Sequence, residues 1–161
     1  GGIVNFEPNK GFSKIRPEKK FTLLIGTTGV KHSTGEVVSQ VKQFRQRNSS
    51  VFKDLSIKAH AVCKRAMNSI YEGNEMELGN MLTENHKLLS KLGVSHPKIE
   101  KLIESCLDNG ALGAKLTGAG KGGAIIALIP NDISKEILTR ISRGSGKWML
   151  VEFDYDGVVF G

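Results

Sequence analysis

Four glycines, Gly118, Gly120, Gly122 and Gly123, fall within six positions, and the chain then runs straight into six apolar residues, Ala124 to Ile129, closed by Pro130. An apolar run of that length between glycine and proline suits a central strand. Glycines this dense cannot fill a core. They permit positive φ and let backbone N–H groups come close to a ligand or to another loop. The spacing Gly118, Gly120, Gly123 also meets a dinucleotide-binding pattern, but that motif opens a helix, whereas this one opens onto a strand. Nor is it a P-loop, because Gly122 follows Gly120-Lys121 where a magnesium-reaching Ser or Thr is required. On the residues alone, a phosphate-cradling loop and a plain tight turn both stay open.

The rest of the chain divides by periodicity. Ile3 to Phe6 and Phe21 to Ile25 are β-rich runs separated by Pro8, Gly11 and Pro17, which suggests two strands joined as a hairpin. Ser33 and Glu36 form a capping box ahead of Val37, Val38, Val41 and Phe44, so a helix starts near Ser33. Leu55, Ala59, Val62, Ala66 and Ile70 mark a second helix ending at Gly73, and Leu78, Leu82, Leu89 and Leu92 a third ending at Gly93. A fourth begins at Ser95-His96-Pro97, turns Ile99, Leu102, Ile103 and Cys106 inward, and stops at Asn109-Gly110. After Pro130, Asn131 or Asp132 can cap a helix carrying Ile133, Ile137, Leu138 and Ile141. A last strand is expected from Trp148 to Tyr155, extended by Val158 to Phe160. Strands, then helices, then strand, helix and strand describe an α+β sandwich, with helices over one face of a mainly antiparallel sheet. No linker interrupts residues 1–161, which read as one domain.

Composition narrows the function classes. The longest apolar run is six residues, far below the roughly 20 that a membrane span needs, so a soluble, cytoplasmic protein without a membrane partner is expected. The net charge of +7 comes from Lys and Arg scattered over the chain, with no basic run interleaved with aromatics. Nucleic acid is therefore not an expected partner, while phosphate-bearing small molecules fit the charge. Cys63 and Cys106 each lie in a helical pattern and read as small buried side chains rather than a disulfide or metal framework. His32, His60, His86 and His96 are isolated, so no metal site is expected. Asn85 falls in register with the leucine stripe of the third helix and should need a hydrogen-bond partner. Glu72, Glu75 and Glu77 read as solvated, and no catalytic residue is assigned from this chain.

Lys115-Leu116-Thr117-Gly118-Ala119-Gly120-Lys121-Gly122-Gly123, followed by its apolar strand, resembles the third conserved motif of the GHMP kinases, which phosphorylate galactose, homoserine, mevalonate and phosphomevalonate. That family usually has glycine at the place of Lys121; the added side chain either points to solvent, the preferred reading, or meets a phosphate. Two more segments are similar to the mevalonate kinases of that family. One is Thr28-Gly29-Val30-Lys31-His32-Ser33-Thr34, a strand-to-helix turn whose matching serine and threonine lie beside the substrate. The other is Asn85-His86-x-Leu88-Leu89 running into Leu92-Gly93-Val94-Ser95. Thr27 departs from the pattern, since mevalonate kinases commonly have Asp or Asn there. The resemblance extends from Gly1-Gly2 to Asp156-Gly157-Val158.

This resemblance implies a ferredoxin-like α+β domain, the C-terminal half of a kinase that uses ATP and Mg2+ to phosphorylate the 5-hydroxyl of mevalonate or a similar small hydroxy acid. It implies acceptor contacts at Lys31, Ser33 and Thr34, although hydroxyls at a helix start can equally serve as caps. It places Thr117, Gly118, Ala119, Gly120, Gly122 and Gly123 at the ATP phosphates. A complementary N-terminal lobe is expected to supply the triphosphate loop, the magnesium ligand and the base, leaving this chain inactive alone and inclined to bind that lobe or to form a homodimer. Gly1-Gly2, without an initiator Met, reads either as an internal start or as the scar of a protease site. A phosphomevalonate or homoserine kinase is the alternative within the family, distinguished by the group recognised beside Lys31, and a non-catalytic binding module on the same fold is the alternative outside it.

Overall fold

The computed structural model describes residues 2–144 and 146–153. It opens with a two-stranded antiparallel sheet, β1 (Ile3–Glu7) and β2 (Gly11–Ile15), paired Ile3 to Ile15 through Glu7 to Gly11. The hairpin expected between the 3–6 and 21–25 runs does not form; the partner of the first run is Gly11–Ile15, within the expected loop. Asn9 and Gly11 both hold positive φ, 102° and 82°, and the Lys10 N–H donates to the Glu7 carbonyl at 3.1 Å. Pro8 and Gly11, two of the three residues read as strand breakers, thus lie at the hairpin turn, and Pro17 follows β2.

Strand β3 (Thr22–Thr27) then enters a second sheet, followed by α1 (Thr34–Arg47), α2 (Ser49–Tyr71), α3 (Glu75–Lys91) and α4 (Pro97–Asp108). The chain closes with β4 (Gly113–Thr117), β5 (Ala124–Ile129), α5 (Ser134–Ile141) and β6 (Lys147–Glu152). Residues 154–155, 156–158 and 158–160, where the sequence suggested strand or motif, lie outside the described residues, as does Gly1. The four-stranded sheet has the order β4-β5-β3-β6, antiparallel throughout. This is the split β-α-β arrangement of a ferredoxin-like fold, with the first strand between the last two. The expected α+β sandwich is what forms.

Register separates the two faces of this sheet. Leu24, Ile125, Ala127, Ile129, Ala114 and Leu116 share one face and pack with Ile99, Leu102, Ile103 and Cys106 of α4 and Ile137 and Ile141 of α5. Leu23 and Leu128 point the other way and pack with Phe21, Leu78 and Ile70, where α2 and α3 come round the β4 edge. The approach of α3 to β4 needs glycine on both sides. A Cβ at Gly113 would stand 1.8 Å from the Gly79 carbonyl oxygen, and one at Gly79 would stand 2.3 Å from that of Leu112. Helix and edge strand thus touch backbone to backbone, which covers an edge that would otherwise offer unpaired N–H groups.

Two smaller expectations are corrected. Cys106 is fully buried, but Cys63 is exposed on α2. Neither Asn131 nor Asp132 caps α5, whose N-cap is Ile133 with no side-chain cap bond; the Asn131 side-chain amide instead donates to the Lys20 carbonyl at 2.9 Å, tying the start of β3 to the end of β5. Among the described residues no helix is long and apolar enough to cross a membrane.

Candidate functional site

The glycine-rich segment divides in two. Lys115-Leu116-Thr117 is the end of β4, and residues 118–123 form the loop joining it to β5, so the motif is a hairpin connection rather than a strand-to-helix turn. Gly118, Gly120, Lys121, Gly122 and Gly123 all hold positive φ. Four of those five positions tolerate this because they lack Cβ.

This loop lies against the turn between β3 and α1, about ninety residues earlier in the chain. The Thr28 N–H donates to the Gly123 carbonyl at 2.8 Å, and the Gly123 N–H donates to the Val30 carbonyl at 3.3 Å. A Cβ at Gly122 would stand 2.9 Å from Val30 Cβ, and one at Gly123 would stand 2.9 Å from His32 Cε1. Two motifs singled out separately thus form one surface. His32 was set aside as isolated, yet its ring covers Gly123; no signal within its own segment could have shown that.

At the same end of the sheet, Thr117 pairs with Ala124 and Ala124 with Thr27, so two hydroxyl side chains flank one alanine. By register this row shares the face of Leu23 and Ile25, away from α4 and α5. Thr27, the departure from the mevalonate-kinase pattern, therefore stands in line with Thr117. Lys31, Ser33 and Thr34, in the turn that follows Thr27, are exposed. Ser33 is the N-cap of α1, its hydroxyl accepting from the Glu36 N–H at 3.4 Å. The turn leads into a 14-residue helix whose N-terminal dipole favours an anion.

The far side of the loop rests on the connection between α3 and α4. The Lys121 N–H donates to the Val94 carbonyl at 2.7 Å, and a Cβ at Gly120 would stand 2.2 Å from that same oxygen. Lys121 is half-buried and lines a shallow, open depression with Ser95, His96 and Glu100. The expectation for Asn85 is also corrected. Asn85 is half-buried and makes no side-chain hydrogen bond among the described residues, whereas its neighbour His86 is the buried polar group, 4% exposed and bonded on both ring nitrogens. Its Nδ1 accepts from the Leu116 N–H at 3.4 Å, so Nε2 carries the proton and donates to Glu100 at 3.2 Å. Burial pushes the Glu100 carboxyl up, but the nearby Ser95 hydroxyl and the hydrogen bonds from His86 and Ser90 outweigh it and hold the group below the ordinary carboxylate value.

The loop can offer backbone to a ligand because its outer turn is unobstructed: beyond its chain neighbours, no heavy atom lies within 4 Å of where a Gly118 Cβ would stand. Lys115, in the strand that feeds it, has its ammonium pKa lowered by burial. Among the described residues, no group of three or more His, Cys, Asp and Glu could hold a metal ion. Glu77 bonds Arg65 at 2.7 Å, which explains it without any role at the loop.

Residues 66–145 match the family model described as GHMP kinases C terminal. The mevalonate kinase of Thermococcus gammatolerans is 32% identical over 163 residues, covering 98% of this chain and 48% of that protein. That of Saccharolobus solfataricus is 32% identical over 161 residues, covering 99% and 49%. Among solved structures, L. major mevalonate kinase in complex with R-mevalonate superposes with a TM-score of 0.85 at 29% identity, over 89% of this chain and 45% of that one. Streptococcus pneumoniae phosphomevalonate kinase, at 20% identity and a TM-score of 0.74, shares the fold. The chain spans about half the length of the curated relatives it matches.

Proposed function

Because this chain belongs to the GHMP kinase family and corresponds to its C-terminal half, we propose that it forms one wall of the active cleft of a mevalonate kinase. In this reading residues 117–123 face the ATP phosphates, and Lys31, Ser33 and Thr34 face the acceptor. The single observation that carries it is the pair of backbone hydrogen bonds between Thr28, Val30 and Gly123, which joins the two motifs into one surface. The unobstructed turn at Gly118 suits close approach of phosphate oxygens.

ATP with magnesium supplies the transferred phosphoryl group when bound. The residues of this chain orient and neutralise: loop N–H groups meet phosphate oxygens, the α1 N-terminus and Lys31 meet the carboxylate of mevalonate, and the Ser33 and Thr34 hydroxyls hold the acceptor near the phosphate. The triphosphate loop, the magnesium ligands and the base belong, on this proposal, to a complementary N-terminal lobe, and this chain alone does not turn over ATP. Support for that lobe comes from β1–β2, whose register puts Val4, Phe6 and Phe12 on one face, with Phe6 69% and Phe12 71% exposed. An aromatic pair so exposed suits a second polypeptide surface, or self-association in its absence.

Acceptor choice tests the reading. Mixed with the complementary lobe, the chain is expected to release ADP with mevalonate and not with phosphomevalonate or homoserine. Preference for phosphomevalonate would assign the neighbouring family member, and no turnover with any acceptor in a folded mixture would support a binding module instead.

A further inference from the structure

We propose that His86 is a positioning residue for the glycine-rich loop, acting as a pin that holds β4, and with it the entry to the loop, against the α3–α4 unit.

The argument begins with the edge of the sheet. β4 pairs with β5 on one side only, so on its free side alternate N–H groups need acceptors. Helix α3 supplies them from a single stripe. Gly79 lets the helix touch the strand at Gly113, the Thr83 hydroxyl accepts from the Ala114 N–H at 3.3 Å, and His86 Nδ1 accepts from the Leu116 N–H. Ser90, at the end of the same stripe, donates to Glu100 Oε1 at 3.2 Å, while His86 Nε2 donates to Glu100 Oε2. Spacings of four, three and four residues place these side chains along one line of the helix.

Leu116 stands two residues before Gly118, and five residues beyond Gly118 the backbone is bonded again through Gly123. Between them Lys121 is held by Val94, at the far end of α3. The loop therefore touches the α3–α4 unit at two points, and His86 joins both parts of that unit: the ring is carried by α3, and its proton is held by the first turn of α4. A buried imidazole spent on a strand N–H is costly unless both nitrogens are satisfied, and here both are. The phosphate-loop reading above determines what the positioned loop does; the positioning itself is testable without kinase activity.

Amide hydrogen exchange followed residue by residue on this chain, without ligand, tests it. In His86→Leu the Leu116 and Lys121 amides are expected to exchange about fivefold faster or more, as for loss of one hydrogen bond, while Leu24 and Ala127 in the central strands keep their protection. His86→Asn, whose side-chain oxygen can take the place of Nδ1, is expected to restore Leu116. Should His86→Leu not fold, Glu100→Leu at the half-exposed end of the pair serves, with Lys121 exchange accelerated and the central strands unchanged. Unchanged Leu116 and Lys121 rates, a uniform loss of protection across the sheet, or failure of His86→Asn to restore Leu116 would overturn the proposal.

Discussion

Gly118 and Gly120 sit two residues apart at φ of 75° and 92°, yet they meet different surroundings. Gly118→Ala places a methyl in open space and costs only backbone strain, about 1 kcal/mol. Gly120→Ala drives a methyl onto the Val94 carbonyl and lifts the loop from α3–α4, an expected loss of about 2–3 kcal/mol in urea denaturation. Ser33 separates capping from ligand contact. Ser33→Ala removes the cap of α1 and is expected to cost about 1 kcal/mol, whereas Ser33→Asn keeps it. If the hydroxyl also holds the acceptor, both variants raise KM for mevalonate in the mixed enzyme; full activity in Ser33→Asn would reduce Ser33 to a cap. The cap was legible in the sequence because it is local. The contact between His32 and Gly123 was not, since it joins residues whose proximity depends on the register of β3 against β5.

Among the elements, the helices were the most legible. Apolar spacing and end signals place α4 at Pro97–Asp108, with the predicted Ile99, Leu102, Ile103 and Cys106 buried. On α3 the leucine stripe was visible, but the second stripe, Gly79, Thr83, His86 and Ser90, was passed over because small and polar residues carry no hydrophobic signal. Its repeat at helical spacing could have shown it. β4 was hidden for a related reason: Lys115-Leu116-Thr117 was absorbed into the glycine-rich motif that follows it. The stripe also predicts a pH response. Glu100 has its carboxyl held below the ordinary value of 4.5, so the stability it contributes is present above that value and lost as pH falls through the lowered one. Glu100→Gln is therefore expected to lower the urea midpoint near neutrality, where the contribution is present, and to flatten the fall of stability in the acidic range, where the wild-type contribution is lost.

At the scale of the molecule, four antiparallel strands, two helices on one face and α3 along the edge form a scaffold at one end of which three connections meet: β3 to α1, α3 to α4, and β4 to β5. Each holds another through backbone hydrogen bonds, so the surface is set before any ligand arrives. The fold class followed from the order of elements. The assembly of the site did not, because it depends on contacts between segments about ninety residues apart. The exposed Phe6 and Phe12 are the surface that the proposed complementary lobe would cover. The measurement that tests this most directly is mevalonate-dependent ADP release by the chain alone, by the complementary lobe alone and by the two mixed at equal concentration. Release only in the mixture is predicted; turnover by this chain alone, or by the complementary lobe without it, would contradict the account.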